Sequence, residues 1–118
     1  MNIEKIRDYC LEKKGADEAF PFDDTTLVFR VFGKMFAVLI LDKPDRVILK
    51  CDADYAGELR ERYKGVEPAW HFNKKYWNQV FFDRDVDDTL ILHLVDHSLD
   101  EVLKKLPRKL QTAYDRLA

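Results

Sequence analysis

What this chain of 118 residues lacks narrows what it can be. No apolar run approaches the ~18 residues needed to cross a bilayer. The opening Met1-Asn2-Ile3-Glu4-Lys5 is without the basic-then-apolar layout of a signal peptide, so the expectation is a cytoplasmic protein with no membrane association. Its two cysteines, Cys10 and Cys51, form no CxxC pair and read as reduced packing residues, not as a bridge or a metal site. No Gly-rich phosphate loop and no nucleophile elbow occur. His93 and His97 stand at i, i+4 with Asp100 and Glu101 nearby. Leu94 occupies the place where the zinc-protease pattern needs Glu, however, and spacing supplies no third ligand. Ser98 falls on the core-facing part of a helix, and the acids gather at turns and helix starts, where capping accounts for them. With no catalytic set, metal or cofactor to assemble, the expectation is a protein that is not an enzyme. A strongly basic balance is missing too: 20 Lys and Arg against 22 Asp and Glu leave a net charge of −2, unlike a dedicated nucleic-acid protein.

What is present describes one globular domain over residues 1–118, with 47% apolar and 36% charged residues and no repeat, low-complexity tract or linker. Asn2 is placed to cap a first helix over residues 3–14, with Ile3, Ile6 and Cys10 at helical spacing and Gly15 closing it. A polar loop follows, ending in Phe20-Pro21-Phe22, whose phenylalanines are expected to plug an edge of the core. Residues 26–32 and 35–41 form a hairpin signal around Gly33-Lys34, and the second run has no polar residue, as in a strand covered on both faces. Residues 46–51 read as a third strand, alternating Val47, Leu49 and Cys51 against Arg46, Ile48 and Lys50. Asp52 caps a helix over 53–64 with Tyr55, Ala56, Leu59 and Tyr63 inward and a Glu58–Arg62 ion pair outward. Residues 66–69 contain Pro68 and suit only an edge strand or a connection, and 77–82 suit a strand. Asp87 or Asp88 starts a long helix with the stripe Ile91, Val95, Leu99, Val102 and Leu106. Pro107 then begins a short one over 108–117. The order α-β-β-β-α-β-β-α-α defines an α+β domain with an antiparallel sheet packed against helices.

One stretch concentrates unusual chemistry: residues 70–82 hold both tryptophans and set Lys74 and Lys75 inside an aromatic cluster. Lysines can hold phosphate, Asn73 can bond phosphate or a base edge, and exposed aromatics such as Trp70 and Tyr76 can stack on unpaired bases. The ordinary reading is that Asn73 caps a tight turn, Trp77 is core and the lysines are solvated. A second basic group, Lys104, Lys105, Arg108 and Lys109, follows the long helix, while Asp83, Asp85, Asp87 and Asp88 precede it. That polarity suits the helix dipole, and it would also add a phosphate-facing stripe if the fold brings the two basic groups together.

Taken in order, several segments resemble the MmcQ/YjbR family of small bacterial proteins. They are the Met-Asn-Ile-Glu start, Phe20-Pro21-Phe22, Val28-Phe29-Arg30-Val31-Phe32-Gly33-Lys34-Met35-Phe36-Ala37, Leu49-Lys50-Cys51-Asp52, His71-Phe72-Asn73-Lys74-x-x-Trp77 and Asp96-His97-Ser98-Leu99. The likeness covers essentially the whole chain, and its specificity lies in the ordered set, not in any one motif. The family's usual proline after Lys-Cys-Asp is replaced by Ala53, a harmless change in a first helical turn. The resemblance implies an antiparallel sheet with helices, of the sort compared with the double-wing DNA-binding domain of a phage transcription factor. It implies a DNA-binding role through that likeness and brings no catalytic residues.

Three functions follow as expectations. The first is a non-enzymatic DNA-binding protein using Asn73, Lys74, Lys75, Lys104, Lys105, Arg108 and Lys109, with Trp70 and Tyr76 as the aromatic surface. The second is a protein-interaction or chaperone-like adaptor, using a strand edge or an apolar patch around Phe20, Phe22 and Trp70. The third is a small-ligand pocket between sheet and helices. No cofactor is called for, and no small-molecule ligand is expected.

Overall fold

The computed structural model describes all 118 residues. The chain runs α1 (Ile3–Leu11), β1 (Ala16–Ala19), β2 (Thr26–Val31), β3 (Lys34–Ile40), β4 (Arg46–Lys50), α2 (Ala53–Arg62), β5 (Val66–Pro68), β6 (Trp77–Phe81), α3 (Asp88–Leu103) and α4 (Arg108–Asp115). Its six strands form one antiparallel sheet in the order β1-β2-β3-β4-β6-β5. No helix is long and apolar enough to cross a membrane.

The helix starts follow their capping residues. Asn2 accepts from the Lys5 N–H at 2.8 Å, Asp52 from Tyr55 at 3.1 Å and Asp87 from Leu90 at 2.8 Å, each satisfying an amide that the first turn leaves unpaired. At the far end of α3, Gln111 donates to the carbonyls of Lys104 and Leu106, so α4 folds back to finish the longer helix.

The sheet has two unlike faces. On one, Ile6 and Cys10 of α1, Ala56 and Leu59 of α2, and the stripe Ile91, Val95, Leu99 and Val102 of α3 pack on Phe29, Phe36, Leu39, Val47, Leu49 and Val80. Burying each of the larger of these side chains is worth about 1.5–3 kcal/mol. The opposite face carries a smaller cluster of Val28, Val38, Ile48, Ala69 and Trp77, with no helical residue among them. Its cover is the loop before β6, which adds Phe72 and Tyr76. The apolar run in β3 is thereby explained, since both faces of that strand are covered.

Several expectations are corrected. Ala16–Ala19 forms an edge strand where a polar loop was expected, because Asp17 pairs with Arg30 on β2 and Glu18 with Arg7 on α1. The hairpin turn is Phe32-Gly33, one residue earlier than Gly33-Lys34. Both residues have positive φ, 49° and 77°, as a two-residue primed turn requires. Phe20 and Phe22 do not plug the core and are 49% and 63% exposed. α1 stops at Leu11 and α2 at Arg62, and Arg62 lies over the Tyr63 ring where a pair with Glu58 was expected.

A polar wedge sits inside this core. The β3–β4 ladder pairs Ala37 with Leu49 and Val38 with Ile48 and goes no further toward Phe36 and Lys50. At that next step the fully buried Ser98 hydroxyl of α3 donates to the Phe36 carbonyl at 2.5 Å and accepts from the Lys50 N–H at 2.9 Å. The hydroxyl thus relays a bond the strands no longer make directly. On the other side of β3 the register slips between Phe29 and Arg30, leaving Phe36 as a bulged residue. Bulge and wedge together part β3 from β4 at the end of the sheet nearest the C-terminus of α3.

Candidate nucleic-acid interface

The loop before β6 is a tight turn built on Asn73. Its side-chain carbonyl accepts from the Lys75 N–H at 3.1 Å, and its backbone carbonyl accepts from Tyr76 and Trp77 at 3.0 Å. Arg60 of α2 fastens the turn by donating to the Lys74 carbonyl at 2.8 Å and to Asn78, which is itself buried and bonded to Ala56. The capping role expected of Asn73 and the core role expected of Trp77 (8% exposed) therefore both hold.

The lysines, by contrast, are not simply solvated. Lys74 Nζ lies 4.2 Å from the centroid of Trp70, and Lys75 Nζ lies 5.5 Å from that of Tyr76. Lys105 reaches the same Tyr76 ring from beyond α3, at 4.8 Å. The two basic groups separated in sequence therefore meet at Tyr76. Trp70 is 61% exposed with Lys74 over its ring, whereas Tyr76 is half-buried against the smaller apolar cluster with Lys75 and Lys105 at its ring.

The meeting extends into a groove of about 270 Å³ opened where β3 and β4 part. It is lined by Lys34, Met35, Lys50, Trp77, Val102, Lys105 and Leu106 and by no carboxylate. Burial first, then the charges of Lys105 and Lys34, lower the pKa of Lys50, against an opposing pull from Glu101. An ammonium held among like charges is stabilised by any anion that enters, so the groove can take phosphate or carboxylate oxygens.

Other expected residues fall elsewhere. Lys104 pairs with the buried Glu101, which draws it toward α3. Arg108 and Lys109 occupy the exposed first turn of α4, where a helix dipole disfavours cations, so the dipole account expected for them does not apply. No hydrogen bond, ion pair or ring contact joins Lys104, Arg108 or Lys109 to the loop. Lys34 and Lys50 carry no signal in the sequence that would join them to this site. Lys34 reads as a turn residue and Lys50 as the polar side of a strand, and only the register places them opposite Lys105.

Both cysteines and His97 are packed within the fold. Cys10 and Cys51 are buried and unbridged, and burial pushes both thiols up to about 12. His97 turns inward, its Nε2 accepting from the Asp52 N–H at 3.1 Å while its ring meets Tyr55 edge-on.

The chain is therefore a small α+β domain with helices on one sheet face and a lysine–aromatic groove at one sheet end. The family model described as YjbR matches residues 11–101, and the chain belongs to the YjbR family. The uncharacterized protein YjbR of Escherichia coli K12 is 31% identical over 111 residues, 92% of this chain and 93% of that one. The crystal structure of Deinococcus radiodurans protein DR2400 is similar with a TM-score of 0.87 and 33% identity, covering 96% of this chain and 87% of that one. A Pseudomonas syringae crystal structure gives a TM-score of 0.73 at 25% identity, covering 86% of this chain and 99% of that one.

Proposed function

We propose that this chain is a non-enzymatic DNA-binding protein that seats backbone phosphate in the lysine groove. The observation supporting this reading is the convergence of Lys34, Lys50 and Lys105 on one concavity with no carboxylate in its lining. Lys75 extends the same charge past Tyr76, and Lys74 extends it to the exposed Trp70, whose ring offers a stacking face. The overall charge of −2 does not oppose this, because a phosphate within a Debye length of the groove responds to the local lysines first. Asn73 serves by shaping the turn. Lys104, Arg108 and Lys109 would contribute only a more distant field.

The test is fluorescence anisotropy of labelled duplex and single-stranded DNA at two salt concentrations, with wild type beside Lys50→Ala/Lys105→Ala. Wild type is expected to bind saturably and to weaken steeply with salt. The double variant should bind more weakly with its log–log salt slope shallower by about 1.4–1.8, since each lost phosphate contact removes about 0.7–0.9. Absence of saturable binding to either DNA at low salt would overturn the proposal.

A further inference from the structure

The helix-free face holds a second concavity, separate from the lysine groove and sharing none of its lining residues. Its floor is Ile40 and Ile48 of the sheet, and its walls include Phe22 and Trp70, two large aromatics left more than half exposed. Phe72 backs it, held by its own contact with Trp77 at 5.3 Å between centroids. The volume of about 410 Å³ lies within the range of roughly 300–1,000 Å³ typical of small-molecule sites. Two loops from distant parts of the chain thus each contribute an aromatic to one apolar recess.

The polar groups around the recess are unequal in what they have left to give. Asp23 is spent: one oxygen accepts from the Thr25 and Thr26 amides at 2.9 and 2.7 Å, and the other from the Thr26 hydroxyl at 3.1 Å. Gln79 is spent between Arg46, Glu67 and Pro68. Arg46 is held by Asp45 and Gln79, fixing its guanidinium plane. Lys43 and His71 line the same space with no side-chain hydrogen bond or ion pair. The donors still free are therefore nitrogen groups, and the one carboxylate in the lining is already satisfied.

We infer that this recess is a binding site for a planar aromatic molecule carrying an anionic substituent. The ring would be covered by Phe22 and Trp70 and the anion held by Lys43, with His71 adding a donor. Stacking between aromatic side chains supplies affinity for any flat ring, while the free cation selects among such rings by charge. The recess uses none of the groove lysines and shares with the DNA reading only the Trp70 ring, so Lys50→Ala/Lys105→Ala should leave naphthoate binding unchanged.

The experiment is an NMR titration of the full chain with naphthoate and, separately, with the neutral analogue naphthalenemethanol. Naphthoate is expected to shift the amides of Phe22, Ile40, Ile48, Trp70 and His71 saturably and to bind about tenfold more tightly than the neutral probe. Trp70→Ala, which removes an exposed side chain, should abolish binding of both probes while leaving the remaining spectrum dispersed. Lys43→Ala should remove the preference for the anion and leave neutral-probe binding unchanged. Equal binding of the two probes, saturable shifts confined to other surfaces, or full binding by Trp70→Ala would each overturn the inference.

Discussion

Among single residues, Ser98 has the widest reach. Its hydroxyl satisfies two backbone groups from adjacent strands at the point where their ladder ends, and no other group is placed to do so. Ser98→Ala leaves a buried carbonyl and amide unpaired and is expected to cost about 1–3 kcal/mol, read by urea denaturation. The same variant should weaken DNA binding even though Ser98 touches no ligand, because it releases the Lys50 backbone. A Ser98→Ala protein of wild-type stability would show that the wedge is not structural. The thiols make a second residue-scale case. With Cys10 and Cys51 raised by burial to about 12 from 9.0, both stay protonated and shielded in the native protein at pH 8. A thiol reagent is expected to label neither quickly until the chain is denatured, when both should react. Folded values above the unfolded one favour the native state below pH 9, and that contribution is lost as pH rises from 9 toward about 12.

Secondary-structure elements separate into those written locally and those written by contacts. The helix caps Asn2, Asp52 and Asp87, the stripe on α3 and the two-sided apolar run of β3 are local patterns, and all were legible in the sequence. β1 was not, because Ala-Asp-Glu-Ala has no strand propensity and is held by ion pairs to Arg30 and Arg7. The turn register was off by one because a phenylalanine is an unfavourable residue at positive φ. Phe32 is kept there by an edge-on contact with Tyr114 of α4, with centroids 6.4 Å apart. Two glycines make this scale testable with one substitution of opposite sign. Gly33 has φ +77° and open space around it, so Gly33→Ala should destabilise by about 1–2 kcal/mol through backbone strain alone. Gly57 lies inside α2, also with open space, so Gly57→Ala should stabilise by about 0.5–1 kcal/mol. Thermal melts of the two variants moving in the same direction would contradict these backbone assignments.

For the whole molecule, the division of labour follows from the sheet. One face is closed by α1, α2 and α3, and the other is left to loops that carry Phe22, Trp70 and the paired lysines. Both sheet edges are short and guarded, β1 by Asp17 and Glu18 and β5 by Glu67 and Pro68. Charged, proline-bearing edges resist strand addition, which weighs against the adaptor reading by that route. Phe20, Phe22 and Trp70 are all exposed, as the patch reading expects, and Phe22 and Trp70 line a recess that lies on the helix-free face and not between sheet and helices. The lysine groove was only half legible. Lys74, Lys75 and Lys105 stand out in the sequence, but Lys34 and Lys50 join them only through a bulge, a broken ladder and a serine more than sixty residues away from Phe36.

The measurement that tests this account most directly is NMR observation of the lysine side-chain ammonium signals during titration with a short single-stranded or duplex DNA. Lys34, Lys50 and Lys105 are expected to shift together and first, with Lys75 following and the Trp77 indole responding beside them. Shifts confined to Arg108, Lys109 and the rest of α4, with the groove lysines unmoved at saturation, would contradict the assignment of the groove as the phosphate site.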